Sequence, residues 1–229
     1  MNVQTTTKIA YTSKEMEKEI TELTRDLDDE TIFLAAIAYG EASTLNDSEE
    51  IGGIAFAVAN RARAWNNKKI SELINEDENY TFVVSDGNAR YSDMMKIKDP
   101  KRYKLLENTG MRLAVQWAKK ALKNQETDPS NGAFWWDGLD IKTNYSDHPK
   151  VIQTFHFDKL EHNIFGIQET SRKITKYWQI KDPKTDKLVN STIRGQYQYV
   201  WVSTAAYGKT IFWIHDEDYI KATGCKIYK

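Results

Sequence analysis

Glu41 closes an apolar segment, Ile32 to Ala38, through the run Tyr39-Gly40-Glu41-Ala42. A short polar connection and a second apolar-patterned segment follow it. A carboxyl group lodged against Ile37 and Ala38 has its charged form disfavoured. It is therefore expected to keep its proton closer to neutral pH than a free glutamate does. Such a group can protonate the oxygen of a departing sugar and later take a proton back. The competing reading is a solvated glutamate at a helix C-terminus, where a negative charge sits poorly with the helix dipole. Ordinary glycosidases add a second carboxylate as base or nucleophile. Asp47, Asp86 and Asp128 are the candidates by position, and none has a spacing that fixes its geometry to Glu41. Asp86 sits in the turn Ser85-Asp86-Gly87-Asn88, where capping its own backbone competes with catalysis. A lone acid suffices where the substrate supplies its own nucleophile, such as a sugar hydroxyl that closes an anhydro ring.

Trp135 and Trp136 follow a turn, Asp128-Pro129-Ser130-Asn131-Gly132, and offer stacking surfaces and indole donors to a saccharide. Core or interface packing would use the same residues. Three successive aromatics, Phe134 to Trp136, point in different directions on any backbone, which argues against all of them being core. Ser85, Asn88 and Asn131 can add hydrogen bonds. Among the four histidines only His156, near Asp158, Glu161 and His162, is locally dense, and no HExxH helix completes a zinc site. No cofactor is expected. Cys225 has no convincing local base, Ser85 and Ser203 lack a GxSxG elbow, and neither a P-loop nor a dinucleotide fingerprint is present.

These groups need elements to position them. Ser13 to Arg25 has apolar residues at helical spacing. Asp28 or Asp29 can cap a helix carrying Ile32 to Ala38, whose near-continuous apolar character predicts that protein surrounds it. Asp47 and Glu50 form a capping-box pattern for the next helix. Its pair Gly52-Gly53 costs helix propensity, about 1 kcal/mol per glycine, and implies a close neighbour such as the preceding helix. Ile70 to Ile74 and Thr109 to Lys123 read as further helices. After Asp137 the texture becomes β-prone: Val151 to Phe157, Ile174 to Ile180, Tyr197 to Thr204 and Thr210 to Ile214, with a turn at Asp182 to Asp186. The expected class is α+β, a mainly helical core with a small antiparallel sheet in the C-terminal part. Residues 1–27 read as a leader and short helix, and residues 28–229 as one domain with a β-rich wall or insertion at about 137–207.

Acidic and basic residues nearly balance, 33 against 32, which gives no reason to expect nucleic acid. One cysteine excludes an intrachain disulfide. The amino-terminal stretch has no apolar run long enough for a signal peptide, and no segment of the chain could span a bilayer. The chain is thus expected to be made in the cytoplasm and to reach an external polymer by lysis or specialised secretion.

Four segments in order carry a resemblance: Tyr39-Gly40-Glu41-Ala42, Ala55 to Arg61, Phe82 to Gly87, and Ala114 to Leu122 followed by Asp128 to Trp136. Together they resemble the spore-cortex-lytic type of cell-wall hydrolase, covering about Thr31 to Trp136. The resemblance implies a lysozyme-like body that cuts peptidoglycan glycan strands between N-acetylmuramic acid and N-acetylglucosamine. It puts the catalytic glutamate on Glu41. Ser85, Asp86 and Asn131 would line the groove, with Tyr39, Asn88, Trp135 and Trp136 completing the substrate-binding set. Asn60 and Arg61 would support it. The family's closing Gly-x-His-x-aromatic-aromatic pattern is met only by Gly208 to Trp213, with Thr210 in the histidine position. A lytic transglycosylase or muramidase is the leading expectation. A non-catalytic carbohydrate- or protein-binding module and a zinc-dependent peptidoglycan amidase are the alternatives. The long interval before Gly208 leaves room for an immunity or delivery protein to bind.

Overall fold

The structure is a computed structural model and describes residues 13–77, 80 and 87–228. The fold is α+β, with a helical body followed by a sheet-rich C-terminal part. The body begins with α1 (Ser13–Thr24), α2 (Asp29–Glu41), α3 (Ser48–Ala64) and α4 (Ile70–Glu76). It continues through α5 (Ala89–Met95), 3-10 turns spanning Lys96–Lys98 and Pro100–Glu107, and α6 (Thr109–Lys123).

Asp28 caps α2, accepting from the Thr31 N–H at 2.8 Å. Leu34 through Ala38 have no exposed surface, because α3, α5 and α6 pack around the helix. Fully burying a leucine or isoleucine stabilises by about 1.5–3 kcal/mol, so packing rather than amphipathic patterning holds α2. Its carboxyl end is thereby a fixed platform for Glu41. Glu30, in the first turn of α2, receives hydrogen bonds from the Ile70 and Ser71 N–H groups and the Ser71 hydroxyl, which ties the start of α4 to α2.

The glycine pair in α3 answers to different neighbours than the sequence implies. A Cβ on Gly52 would strike the Trp117 indole of α6, and one on Gly53 would strike the Phe212 ring, so neither glycine serves the approach of α2. Phe212 belongs to the sheet, and Gly53 lets that sheet lie directly on α3.

The C-terminal part adds β1 (Trp135–Asp137), α7 (Asp140–Thr143), α8 (Pro149–Gln153), β2 (Phe155–Phe157), β3 (Ile174–Lys181), β4 (Leu188–Tyr197), β5 (Trp201–Tyr207), β6 (Thr210–His215) and α9 (Glu217–Thr223). Two sheets form where one small antiparallel sheet is expected. β1, β6, β5 and β2 make a mixed sheet in that order, β2 running parallel to β5 and the other pairs antiparallel. β3 and β4 make a separate antiparallel ribbon. The run from Val151 divides, its first residues closing α8 before β2 begins, because Pro149 at the first helical position favours a turn of helix. The expected strand from Tyr197 to Thr204 also divides: Tyr197 ends β4 and Trp201 opens β5. β1 itself carries too few residues to announce itself by alternation. It nevertheless joins the two cores, Trp136 packing with the helical cluster and Trp135 with the cluster built on Phe155, Ile211 and Trp213.

Glu50 locks the sheet to the helices. Asp47 accepts from the Glu50 N–H at 2.9 Å, but the Glu50 carboxylate turns away from the cap and the reciprocal half of the box is not made. It is fully buried and accepts from Ser43 Oγ (2.6 Å), the Lys209 N–H (3.1 Å) and Thr210 Oγ1 (2.8 Å). Thr210 therefore serves as a structural donor where the resembled pattern has histidine. Gly208 turns the β5–β6 hairpin at φ +57°, and a Cβ there would land on the Glu50 carboxylate. Gly208→Ala combines left-handed strain with that collision and should lower stability by about 2–3 kcal/mol. A urea denaturation midpoint measures the loss.

Candidate active site

The end of α2, α3, β1 and the segment leading into α8 enclose a cleft of about 380 Å³. Glu41, Arg61, Tyr80, the run Phe134 to Asp137, His148 to Lys150, Gln153 and Trp201 line it. Glu41 is half-buried, and the Trp136 Nε1–H donates to its Oε2 at 3.3 Å. Three neighbouring aromatics of β1 and its approach, Phe134, Trp135 and Trp136, are each partly exposed to this space. The cleft thus brings an acid, indole donors and stacking faces together.

Arg61 supports the floor. Its Nε lies 2.6 Å from Asp77 Oδ2 in a pair that is almost completely buried. The guanidinium also sits 5.0 Å from the Trp135 ring centre and 5.7 Å from that of Tyr80. Tyr80 stacks obliquely on Trp136 at 6.0 Å. Burial pushes the Tyr80 hydroxyl up; Arg61 pulls it down, while the charges of Asp77 and Glu41 raise it again, and the net direction is strongly upward. It remains a proton donor, and its oxygen has no hydrogen-bond partner among the described residues. Asn60 acts one step back: its amide donates to Asp128 Oδ2 (2.8 Å) and to the Ala133 carbonyl (3.1 Å). It thus anchors the turn that delivers Phe134 to Trp136.

The opposite wall is a charge network. Asp137 lies 2.8 Å from Lys150 Nζ and 3.4 Å from His148 Nε2, which is also 3.3 Å from Asp140. Burial pulls the His148 imidazole down, but hydrogen bonds to Asp137 and Asp140 overcome it and push the group up to about 9. The folded-state value exceeds the unfolded one of about 6.5, so this interaction stabilises fully below that pH and is lost as pH rises through about 9. Stability should therefore fall between pH ~6 and ~9.5. His148→Gln should flatten that part of a denaturation-midpoint profile.

Asp137, Asp140 and His148 are, among the described residues, the group spaced to hold a metal ion. The ring nitrogen between the carboxylates is a donor while protonated, and Lys150 already neutralises Asp137, so the network is filled by the protein's own cations. The denser-looking histidines go elsewhere. His156 faces Asp216 at 3.5 Å, and buried His162 meets Ser203 Oγ at 2.8 Å. Burial between Trp135 and Trp201 takes His215 down to about 4, making it a neutral spacer behind the cleft, 3.9 Å from Cys225 Sγ.

Several expected site residues lie apart from Glu41's cleft. Tyr39 is buried beneath Arg90, whose guanidinium lies 3.9 Å from its ring centre and whose Nε donates to its carbonyl. Its position on α2 turns it inward, so it is a core residue. Asn88 caps α5, accepting from the Tyr91 N–H, and donates to the Gly40 carbonyl at 3.0 Å, which holds the end of α2. Asn131 opens onto a separate surface cavity with Asp128 and Thr204. Asp128 is consumed by its own turn, accepting from Ser130, Gly132 and Asn60, and Asp47 by the α3 cap. Ser85 and Asp86, with Phe82 to Val84, lie outside the described residues. Sequence reasoning missed Tyr80, Asp137, His148, Lys150 and Trp201. Only Asp137, next to the aromatic run, carried a local signal.

No family model matches the chain, and no similar curated protein or solved structure is found.

Proposed function

We propose that the protein cleaves peptidoglycan glycan strands between N-acetylmuramic acid and N-acetylglucosamine, with Glu41 as general acid and then general base. The observation that carries this reading is Glu41 at the mouth of a buried helix, in one cleft with Trp135 and Trp136 and hydrogen-bonded by the latter. Aromatic faces suit the apolar C–H surfaces of a sugar ring, and an acid beside them is placed for the linking oxygen.

Glu41 gives its proton to the glycosidic oxygen as the bond from the muramic C1 breaks. The muramic 6-hydroxyl then attacks C1 and returns its proton to the Glu41 carboxylate, leaving a 1,6-anhydro ring. This lytic transglycosylase route needs one carboxylate. It is favoured over a water-activating pair because Asp137, the other carboxylate among the described cleft residues, is tied to Lys150 and His148. Mass analysis of fragments released from purified sacculi tests it, with anhydro-muramic ends expected and intact glycan strands contradicting it.

The second reading, a metal-dependent amidase acting on the stem peptide, would need an ion at Asp137, Asp140 and His148 to displace the Lys150 and imidazolium charges paired with those carboxylates. That enzyme would free peptides from uncut glycan and lose activity to a chelator. Peptidoglycan strands are the proposed ligand in either case. The described residues include no helix long and apolar enough to cross a membrane. Delivery to the wall by lysis or specialised secretion remains part of the proposal.

A further inference from the structure

The ribbon formed by β3 and β4 plays no part in the cleft. It is held at one end, where Gly195 lies against the Ala222 backbone of α9 and Tyr197 packs edge-on to Tyr219. Beyond that anchor it stands in solvent for most of its length, and among the described residues no further strand joins either edge. Among the described residues, six of the thirteen exposed large hydrophobic side chains are on this ribbon: Tyr177, Trp178, Ile180, Leu188, Val189 and Ile193. A lone two-stranded ribbon is marginal in water, and open strand edges are normally blunted or covered. Apolar side chains at this density mark a binding surface.

The distribution of these side chains selects the occupant. Strand alternation and register put Trp178, Ile180 and Val189 on one face, and Tyr177, Leu188 and Ile193 on the other. The turn joining the strands is charged, from Lys181 to Lys187. A membrane surface would bury one face and leave the other wet, and the tip offers only Pro183, set among charged residues, to insert. Basic side chains outnumber acidic ones five to two across Ile174 to Tyr197, and the Arg194 guanidinium lies 4.6 Å from the Trp178 ring centre. A second copy would set like charge against like. We infer that the ribbon is a docking element for an acidic protein that adds a β-strand to its open edge and closes over its apolar faces.

The test uses the full chain and a synthetic acetylated peptide alternating glutamate with valine. Its controls are the same peptide N-methylated along one edge, a lysine-for-glutamate version, and phosphatidylglycerol vesicles. Expected are slowed amide exchange within 174–181 or 188–193, binding weakened at least about tenfold by Trp178→Ser with Ile180→Ser, and a marked loss in high salt. Both substitutions are at exposed positions, so the fold should persist, as circular dichroism would check. Equal binding of the N-methylated or lysine peptide would overturn the inference. So would vesicle binding without peptide binding, or self-association abolished by the same substitutions. None of these readouts depends on glycan cleavage.

Discussion

Glu41→Gln should abolish glycan cleavage, lowering the rate by about a thousandfold or more while leaving the fold intact. The amide keeps the shape of the side chain and its contact with the Trp136 indole region, but has no proton to give. General acid–base catalysis contributes about 10²–10⁴ in rate, and here one group supplies both halves. Stability should change little, because the residue is half-buried at the end of α2 and the helix is held by its neighbours at Leu34 to Ala38. Release of soluble fragments from sacculi measures the rate, and a denaturation midpoint confirms the fold. Undiminished turnover in the variant would remove Glu41 from the chemistry.

The second large effect concerns stability. Arg61→Met should destabilise the protein by about 3–5 kcal/mol, since it leaves the Asp77 carboxylate buried without its nearest cation. It also removes the guanidinium from beneath Trp135 and Tyr80, so the cleft floor should loosen along with the fold. The double variant Arg61→Met with Asp77→Leu should recover part of the loss, because the larger penalty belongs to the buried carboxylate that has lost the Arg61 charge. Urea midpoints of the two single variants and the double variant form a cycle. Additive losses would show that the pair is not coupled.

The helical body was readable because its signals are local. Asp28 and Asp47 do cap α2 and α3, Thr109–Lys123 is α6, and the apolar run before Glu41 is buried as its composition requires. The sheet was less so, because strand partnership is non-local: β1 is three residues long, and β2 takes β5 as a parallel partner. Half of the cleft was illegible for the same reason. Tyr80, His148 and Lys150 come to line Glu41's cleft through the fold rather than through any motif, and Trp201 arrives from a strand far along the chain. Conversely, Tyr39 and Asn88 sit close to Glu41 or its helix end, yet their side chains serve the packing of α2 and α5. Sequence proximity to the acid was a poor guide to which side chains share its space.

Digestion of purified sacculi by the intact chain, followed by mass identification of every soluble product, is the most direct test of a glycan-cutting acid at the end of α2. The account predicts disaccharide-peptide fragments ending in 1,6-anhydro-N-acetylmuramic acid, insensitive to chelator and absent with Glu41→Gln. Free stem peptides over uncut strands, or no soluble product at all, would contradict it.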